Sequence, residues 1–161
     1  MSEEYTTNAH DLAEAAKLQA QLEQDNNNAK NTNESHRTSS SQQYRIPTVS
    51  IDSGAYKYVL ITARPPNNSN NNMEVFVHSK RGAQYHRNVA EPLIPILQQG
   101  GYTDIRIKGG GRILRDDDDA IIKIFGYSYG FGQADHALAK DVVEKSGKFA
   151  GYSITWSNDG Y

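Results

Sequence analysis

The chain has 161 residues and no cysteine, and its 17 Lys and Arg against 19 Asp and Glu give a formal charge of −2. Without cysteine there is no disulfide, no thiolate zinc site and no chemistry that needs a thiolate nucleophile. No stretch approaches the roughly 20 apolar residues of a membrane span, and Met1-Ser2-Glu3-Glu4 has the wrong charge for a secretory or mitochondrial leader, which predicts a soluble cytoplasmic protein.

Residues 8–24 space Leu12, Ala15, Ala16, Leu18, Ala20 and Leu22 at near-helical intervals, predicting a short, weakly amphipathic helix with too little apolar surface to join a core. From Asp25 to Gln43 the chain is dominated by Asn, Ser, Thr and Gln, with no large apolar side chain to offset the entropy of ordering. It reads as a disordered linker. Residues 1–45 are therefore expected to be a low-complexity tail, separable from a single domain over 46–161. Charge divides the same way: the tail holds four Lys/Arg against seven Asp/Glu, whereas residues 46–115 hold nine against four, an excess that suits an anionic ligand.

Within the domain, Tyr56–Thr62 and Met73–Val77 are β-rich runs, separated by a polar loop at 67–72 that permits antiparallel pairing. Asn88 with Glu91 three residues on predicts the start of a helix carrying Leu93, Ile94, Ile96 and Leu97 and ending at Gly100-Gly101. Pro95 would remove one of its hydrogen bonds, so a kink or a later start is expected. Tyr102–Lys108 alternates apolar and charged residues as a half-buried strand does, and Ala120–Phe125 is another strand. Asp116–Asp119 lacks the alternating ligands and closing Glu of a calcium loop and reads as a solvated hairpin tip. Asp135 is a plausible cap for a helix to Lys145, stopped by Gly147, and Tyr152–Trp156 is a last strand. About six strands and two helices predict an α/β (α+β) domain, a mixed sheet flanked by helices.

His86 sits just before the predicted helix, where the partial positive charge of the helix start disfavours imidazolium. A neutral imidazole can act as a nucleophile or as a general base. Ser128-Tyr129-Gly130 ends an apolar strand in a glycine-containing turn whose amides can converge on an anion, although an ordinary loop has the same composition. Gly109-Gly110-Gly111-Arg112 allows close backbone approach and places a two-point phosphate donor at a tight turn; a flexible hairpin with a solvated arginine is the plainer alternative. Lys57 shares a strand face with Val59 and Ile61, as a snorkelling edge lysine also does.

Tyr85-His86, the Gly109–Arg112 run, Gly126-Tyr127-Ser128-Tyr129-Gly130 and the closing Ser-Ile-Thr-Trp-Ser-Asn-Asp-Gly-Tyr together resemble the protein-histidine phosphatases of the Janus/Ocnus family, over about residues 48 to 161. Lys57 within Tyr-Lys-Tyr-Val-Leu-Ile and His136 within Ala-Asp-His-Ala fit the same pattern. The resemblance implies hydrolysis of the phosphorus–nitrogen bond of phosphohistidine in proteins, with phospholysine and other phosphoramidates as an extension, by a monomer that needs no metal or cofactor. It implies His86 as the catalytic residue, Lys57, Arg112 and the Ser128, Tyr129 and Gly130 segment as phosphate-binding, and Tyr85, Arg87 and His136 as supporting. Arg112 is left as either phosphate-binding or site-supporting, and His136 as either a site residue or the neighbour of a cap. Two positions depart from the pattern: His78 stands where relatives carry arginine, and Gln84 where they carry an acidic residue. A catalytically silent reader of phosphohistidine or phosphate is the alternative that these departures keep open. Nucleic-acid binding by Arg106 and Lys108 has no accompanying motif and is not expected.

Overall fold

Tyr58, Val59, Leu60 and Ile61 are all buried, so the strand that carries them is covered on both faces. This is β2 (Gly54–Arg64), the third strand of a six-stranded mixed sheet. The other strands are β1 (Val49–Ser50), β3 (Glu74–Ser79), β4 (Thr103–Asp116), β5 (Ile121–Phe125) and β6 (Ser153–Trp156), arranged in the order β1-β3-β2-β4-β5-β6. β2 pairs antiparallel with β3 and β4, and β4 with β5, while the two outer strands β1 and β6 join in parallel. The computed structural model describes residues 9–31, 46–66 and 72–160.

Alternation along β2 builds two cores. Val59, Ile61 and Ala63 face Val89, Ala90, Leu93, Ile94 and Leu97 of helix α2 (His86–Gln99), whereas Tyr58 and Leu60 face Ala139 and Val143 of helix α3 (His136–Lys145). Asp135 caps α3 by accepting from Leu138 N at 3.1 Å, as the sequence predicts. α2 starts three residues earlier than expected, because its cap is Tyr85 and Asn88, expected as the cap, is the third helical residue and accepts from Tyr85 N at 3.0 Å. His86 thereby becomes its first residue. Pro92 and Pro95 are both accommodated, since they lie on the exposed side where the carbonyls they leave unbonded can reach water.

The glycine run corrects the sequence expectation. Gly109 to Arg112 form no turn; β4 passes straight through them, in register with Leu60 to Lys57 of β2, and the strand bulges at Lys108 instead. The β4–β5 connection lies at Asp117–Ala120, so the acidic tip is the hairpin turn.

The helix expected in the N-terminal segment forms, but it is longer than expected and packs against the domain. α1 (Ala9–Asn31) runs seven residues into the stretch whose composition reads as linker; residues 32–45 lie outside the described residues. Its inward face carries Asp11, Ala15, Leu18, Leu22 and Asn26, one stripe at helical spacing. Leu22 packs into the core that α2 shares with the sheet. Asn26 bonds the backbone of β4 where β5 does not pair with it, donating to Ile105 O and accepting from Ile105 N, both at 2.9 Å. Two of these five contacts are polar, which is why apolar content understates how firmly the helix is held. Leu22→Ala should lower the unfolding free energy by about 2–5 kcal/mol in denaturant titration; an unchanged midpoint would place α1 outside the cooperative unit.

Candidate functional site

Gly110 and Gly111 have successive side-chain positions on opposite faces of β4, and a histidine fills each space. A Cβ at Gly110 would fall 2.7 Å from His86 Cδ2 and 3.2 Å from Ser128 Cβ. One at Gly111 would fall 2.7 Å from His136 Cε1. Real Cβ contacts are not that short, so both positions require glycine for close approach rather than for an unusual backbone.

On the α2 face, the His86 ring nitrogen Nε2 lies 2.9 Å from Gly111 O. A carbonyl only accepts, so Nε2 carries the proton and the Nδ1 lone pair is left for chemistry. His86 is 5% exposed, and burial pushes its pKa down to about 4. The bond to Gly111 opposes that shift, and the charges of Lys57 and Arg112 add to it. The ring is therefore neutral at pH 7.

Lys57 and Arg112 stand directly opposite each other in the β2–β4 ladder. Arg112 is buried and donates from Nη2 to Ala55 O at 3.3 Å, tying it to the strand that carries Lys57. Like charges facing across a ladder are unfavourable.

The loop after β5 brings the third element. Ser128 N donates to Gly132 O at 3.1 Å and Gly132 N to Ser128 O at 2.8 Å, closing a tight turn over residues 129–131. Gly110 N also donates to Gly132 O, at 3.0 Å, which fixes the turn against the glycine strand. Ser128 Oγ accepts from Phe131 N at 3.1 Å. Ser128 thus spends both its amide and its hydroxyl on shaping the turn. The amides of Tyr129 and Gly130, at the apex, take no part in these closing bonds. Gln133 holds the turn to the end of the chain, donating from Nε2 to Gly126 O at 3.0 Å and Asn158 O at 3.1 Å.

Tyr85 and Arg87 flank His86 and stack, with the guanidinium carbon 4.7 Å from the ring centroid. Arg87 Nε pairs with Asp11 of α1 at 3.2 Å, both side chains being largely buried. The structure therefore brings together His86, Lys57, Arg112, Ser128, Tyr129 and Gly130, with Tyr85 and Arg87 at the side.

His136 is the exception. It lies on the opposite face of β4, donating from Nε2 to Gly126 O at 2.7 Å and accepting at Nδ1 from Tyr58 Oη at 2.5 Å. Burial lowers its pKa and raises that of Tyr58. Both ring nitrogens are committed to the framework, and the histidine supports the strand from behind. His78, one of the two departures in the sequence, is hydrogen-bonded to Pro47 O at 2.8 Å near the β1–β3 edge, with its pKa lowered by burial.

Sequence reasoning missed Asp11, Ala15 and Tyr58. Their signals are weak: Asp11 and Ala15 lie in a polar segment far from the motifs, and Tyr58 reads as one more aromatic strand residue. Among the described residues, no group of three or more His, Asp or Glu is placed to hold a metal ion, and no helix is long and apolar enough to cross a membrane.

Comparison with known proteins identifies the family of the chain. Residues 43–153 match the family model described as Janus/Ocnus family (Ocnus). The chain is 35% identical to the 14 kDa phosphohistidine phosphatase of Sus scrofa over 121 residues, 73% of this chain and 94% of the relative, and 35% identical to its Homo sapiens counterpart over 120 residues, with shares of 72% and 94%. It is 31% identical to the sex-regulated protein janus-A of Drosophila pseudoobscura pseudoobscura over 129 residues, 78% of this chain and 85% of the relative. The motifs, the sheet that positions them and these matches agree, and the chain belongs to the Janus/Ocnus family.

Proposed function

We propose that the protein is a protein-histidine phosphatase that hydrolyses the phosphorus–nitrogen bond of phosphohistidine, acting through the Nδ1 lone pair of His86. Relatives at 35% identity bear the name phosphohistidine phosphatase. The observation that carries the reading is a buried, neutral imidazole whose proton is held on Nε2 by Gly111, beside two facing cations. Phosphoryl transfer asks for positioning and charge stabilisation more than for covalent machinery. Lys57 and Arg112 neutralise the phosphoryl oxygens, and the Tyr129 and Gly130 amides donate to them, with Ser128 shaping the turn. No step calls for a metal or cofactor.

Two routes use the same atom. In the first, Nδ1 attacks phosphorus, the bond to the substrate imidazole breaks, and the departing nitrogen takes up a proton. Phosphorylated His86 is then hydrolysed by water. In the second, Nδ1 takes a proton from water as that water attacks phosphorus, the bond to the substrate imidazole breaks, and the departing nitrogen takes up that proton from His86. Positive charge develops on the ring in both, and Gly111 O, accepting from Nε2, stabilises it.

His86→Ala should fold and lose turnover of a chemically phosphorylated histidine peptide by about 100-fold or more. Wild-type rates in the folded variant would remove His86 from the reaction. Wild-type protein quenched in alkali during turnover should carry acid-labile phosphate if the first route operates. Folded wild type that binds the phosphopeptide without turning it over would be a reader instead of an enzyme.

Arg112→Lys should lower kcat/KM about tenfold or more, equivalent to about 1.4 kcal/mol, since an ammonium cannot bond Ala55 O and an anion as a planar fork does. Unchanged kinetics would remove Arg112 from phosphate binding.

Ring nitrogen resonances should show His86 as the Nε2–H tautomer at pH 7, titrating near pH 4. An unfolded histidine protonates near 6.5, so between about 6.5 and 4 the unfolded chain takes up a proton that native His86 refuses. This residue's contribution to stability is therefore lost as pH falls through that window. An ordinary midpoint near 6.5 would contradict the buried, neutral ring.

A further inference from the structure

Gly130 does not have a positive φ, so its lack of a side chain is not explained by backbone conformation. A Cβ there would fall 2.7 Å from Ala15 Cβ and 3.9 Å from Asp11 O, both on α1. The helix presses directly on the apex of the turn whose amides face the phosphate in the reading above. Four residues earlier on the same face, Asp11 holds Arg87, the neighbour of His86. α1 therefore touches both sides of the site, at the turn through Ala15 and at the start of α2 through Asp11. The family match begins at residue 43, so all of α1 lies outside it.

We propose that α1 is a working part of the phosphate site, with Ala15 and Asp11 as positioning residues: Ala15 backs the turn at Gly130 while Asp11 fixes Arg87 and balances its charge beside His86. The inference rests on the assignment of the 128–132 turn to phosphate. Left unbacked, that turn keeps its closing bonds and the packing of Phe131, but the Tyr129 and Gly130 amides lose the surface that sets their direction. Preorganised donors are what make such a site effective, since a turn that must order on binding loses affinity. Asp11 also explains how an acidic helix can approach an anion site: its carboxylate is paired with the Arg87 guanidinium.

The test is a double-mutant cycle in the full-length chain, read by inorganic phosphate binding at the Tyr129 and Gly130 amide resonances and by kcat and KM on a phosphohistidine peptide. Gly130→Ala should raise the phosphate dissociation constant about tenfold or more, with KM rising alongside it. Adding Ala15→Gly should bring the affinity back to within about threefold of wild type, although glycine weakens the helix. Ala15→Val presses on the turn from the helix side and should weaken phosphate in the same sense, which also serves if Gly130→Ala does not fold. A merely structural contact would shift the unfolding midpoint and leave phosphate affinity alone. Wild-type affinity in Gly130→Ala or Ala15→Val overturns the proposal, as does a double variant no tighter than Gly130→Ala. Absence of any phosphate-dependent shift at the turn in the wild type overturns it too. A coupled cycle in a protein that does not hydrolyse phosphohistidine upholds the role of α1 and removes the hydrolase reading; turnover with an uncoupled cycle does the reverse.

Discussion

Everything at the site depends on two adjacent residues of one strand having no side chain. β4 is flanked by β2 and β5 and covered on both faces, so Gly110 and Gly111 leave two slots in the middle of a packed sheet. A histidine fills each one. Buried imidazoles need partners for their N–H groups, and the bare backbone supplies one directly, as Gly111 O for His86. Any side chain at 110 would push His86 off the strand, and with it the start of α2. Alanine in place of either glycine meets backbone oxygen as well as a ring, at 2.6 Å from Tyr58 O for 110 and 2.4 Å from Phe125 O for 111. Neither neighbour can yield cheaply.

The same strand separates the two histidines by chemistry as well as by position. His136 has an acceptor at one ring nitrogen and a hydroxyl donor at the other, so its ring is saturated and keeps one tautomer. His86 has only the Gly111 carbonyl among these bonds, which fixes its proton and exposes a lone pair. Burial lowers both pKa values. Lowered basicity is useful only in the ring whose lone pair is not already engaged. The cations at 57 and 112 add to the shift on His86, so the groups proposed to hold an anion also keep the imidazole neutral.

Much of the fold is legible in the sequence because its strands and helices follow ordinary periodicities: the alternation in β4, the apolar stripe of α3 and the Asp135 cap all appear where local rules put them. The glycine run misleads because Gly-Gly-Gly in isolation punctuates a chain. Here it continues a strand, for the slots are filled by rings from α2 and α3 that local sequence cannot announce. His86, Lys57 and Arg112 are readable as a group through their motifs. Ser128 is readable as a member of the site but not as the residue that ties its turn together, since that depends on which bonds its amide and hydroxyl already make. His136 carries a motif and sits behind the strand, because neighbouring residues of a strand face opposite ways.

α1 shows most plainly how composition can conceal packing. A stripe of Asp, Ala, Leu, Leu and Asn has little transfer free energy to offer, and by apolar area alone it would not hold a helix of 23 residues. Its polar members meet groups that the domain leaves exposed: the Arg87 guanidinium at one end and the Ile105 peptide at the other. Burying those groups without a partner would be costly, so meeting them contributes more than Asp11 or Asn26 would suggest on a hydrophobicity scale. Ala15 lies between them, against Gly130 of the site loop. The fit runs both ways, since a larger residue at either 15 or 130 would separate helix and turn. A segment that looks dispensable by composition is thus matched to the domain at three points, two of them at the candidate site, that only the folded chain brings together.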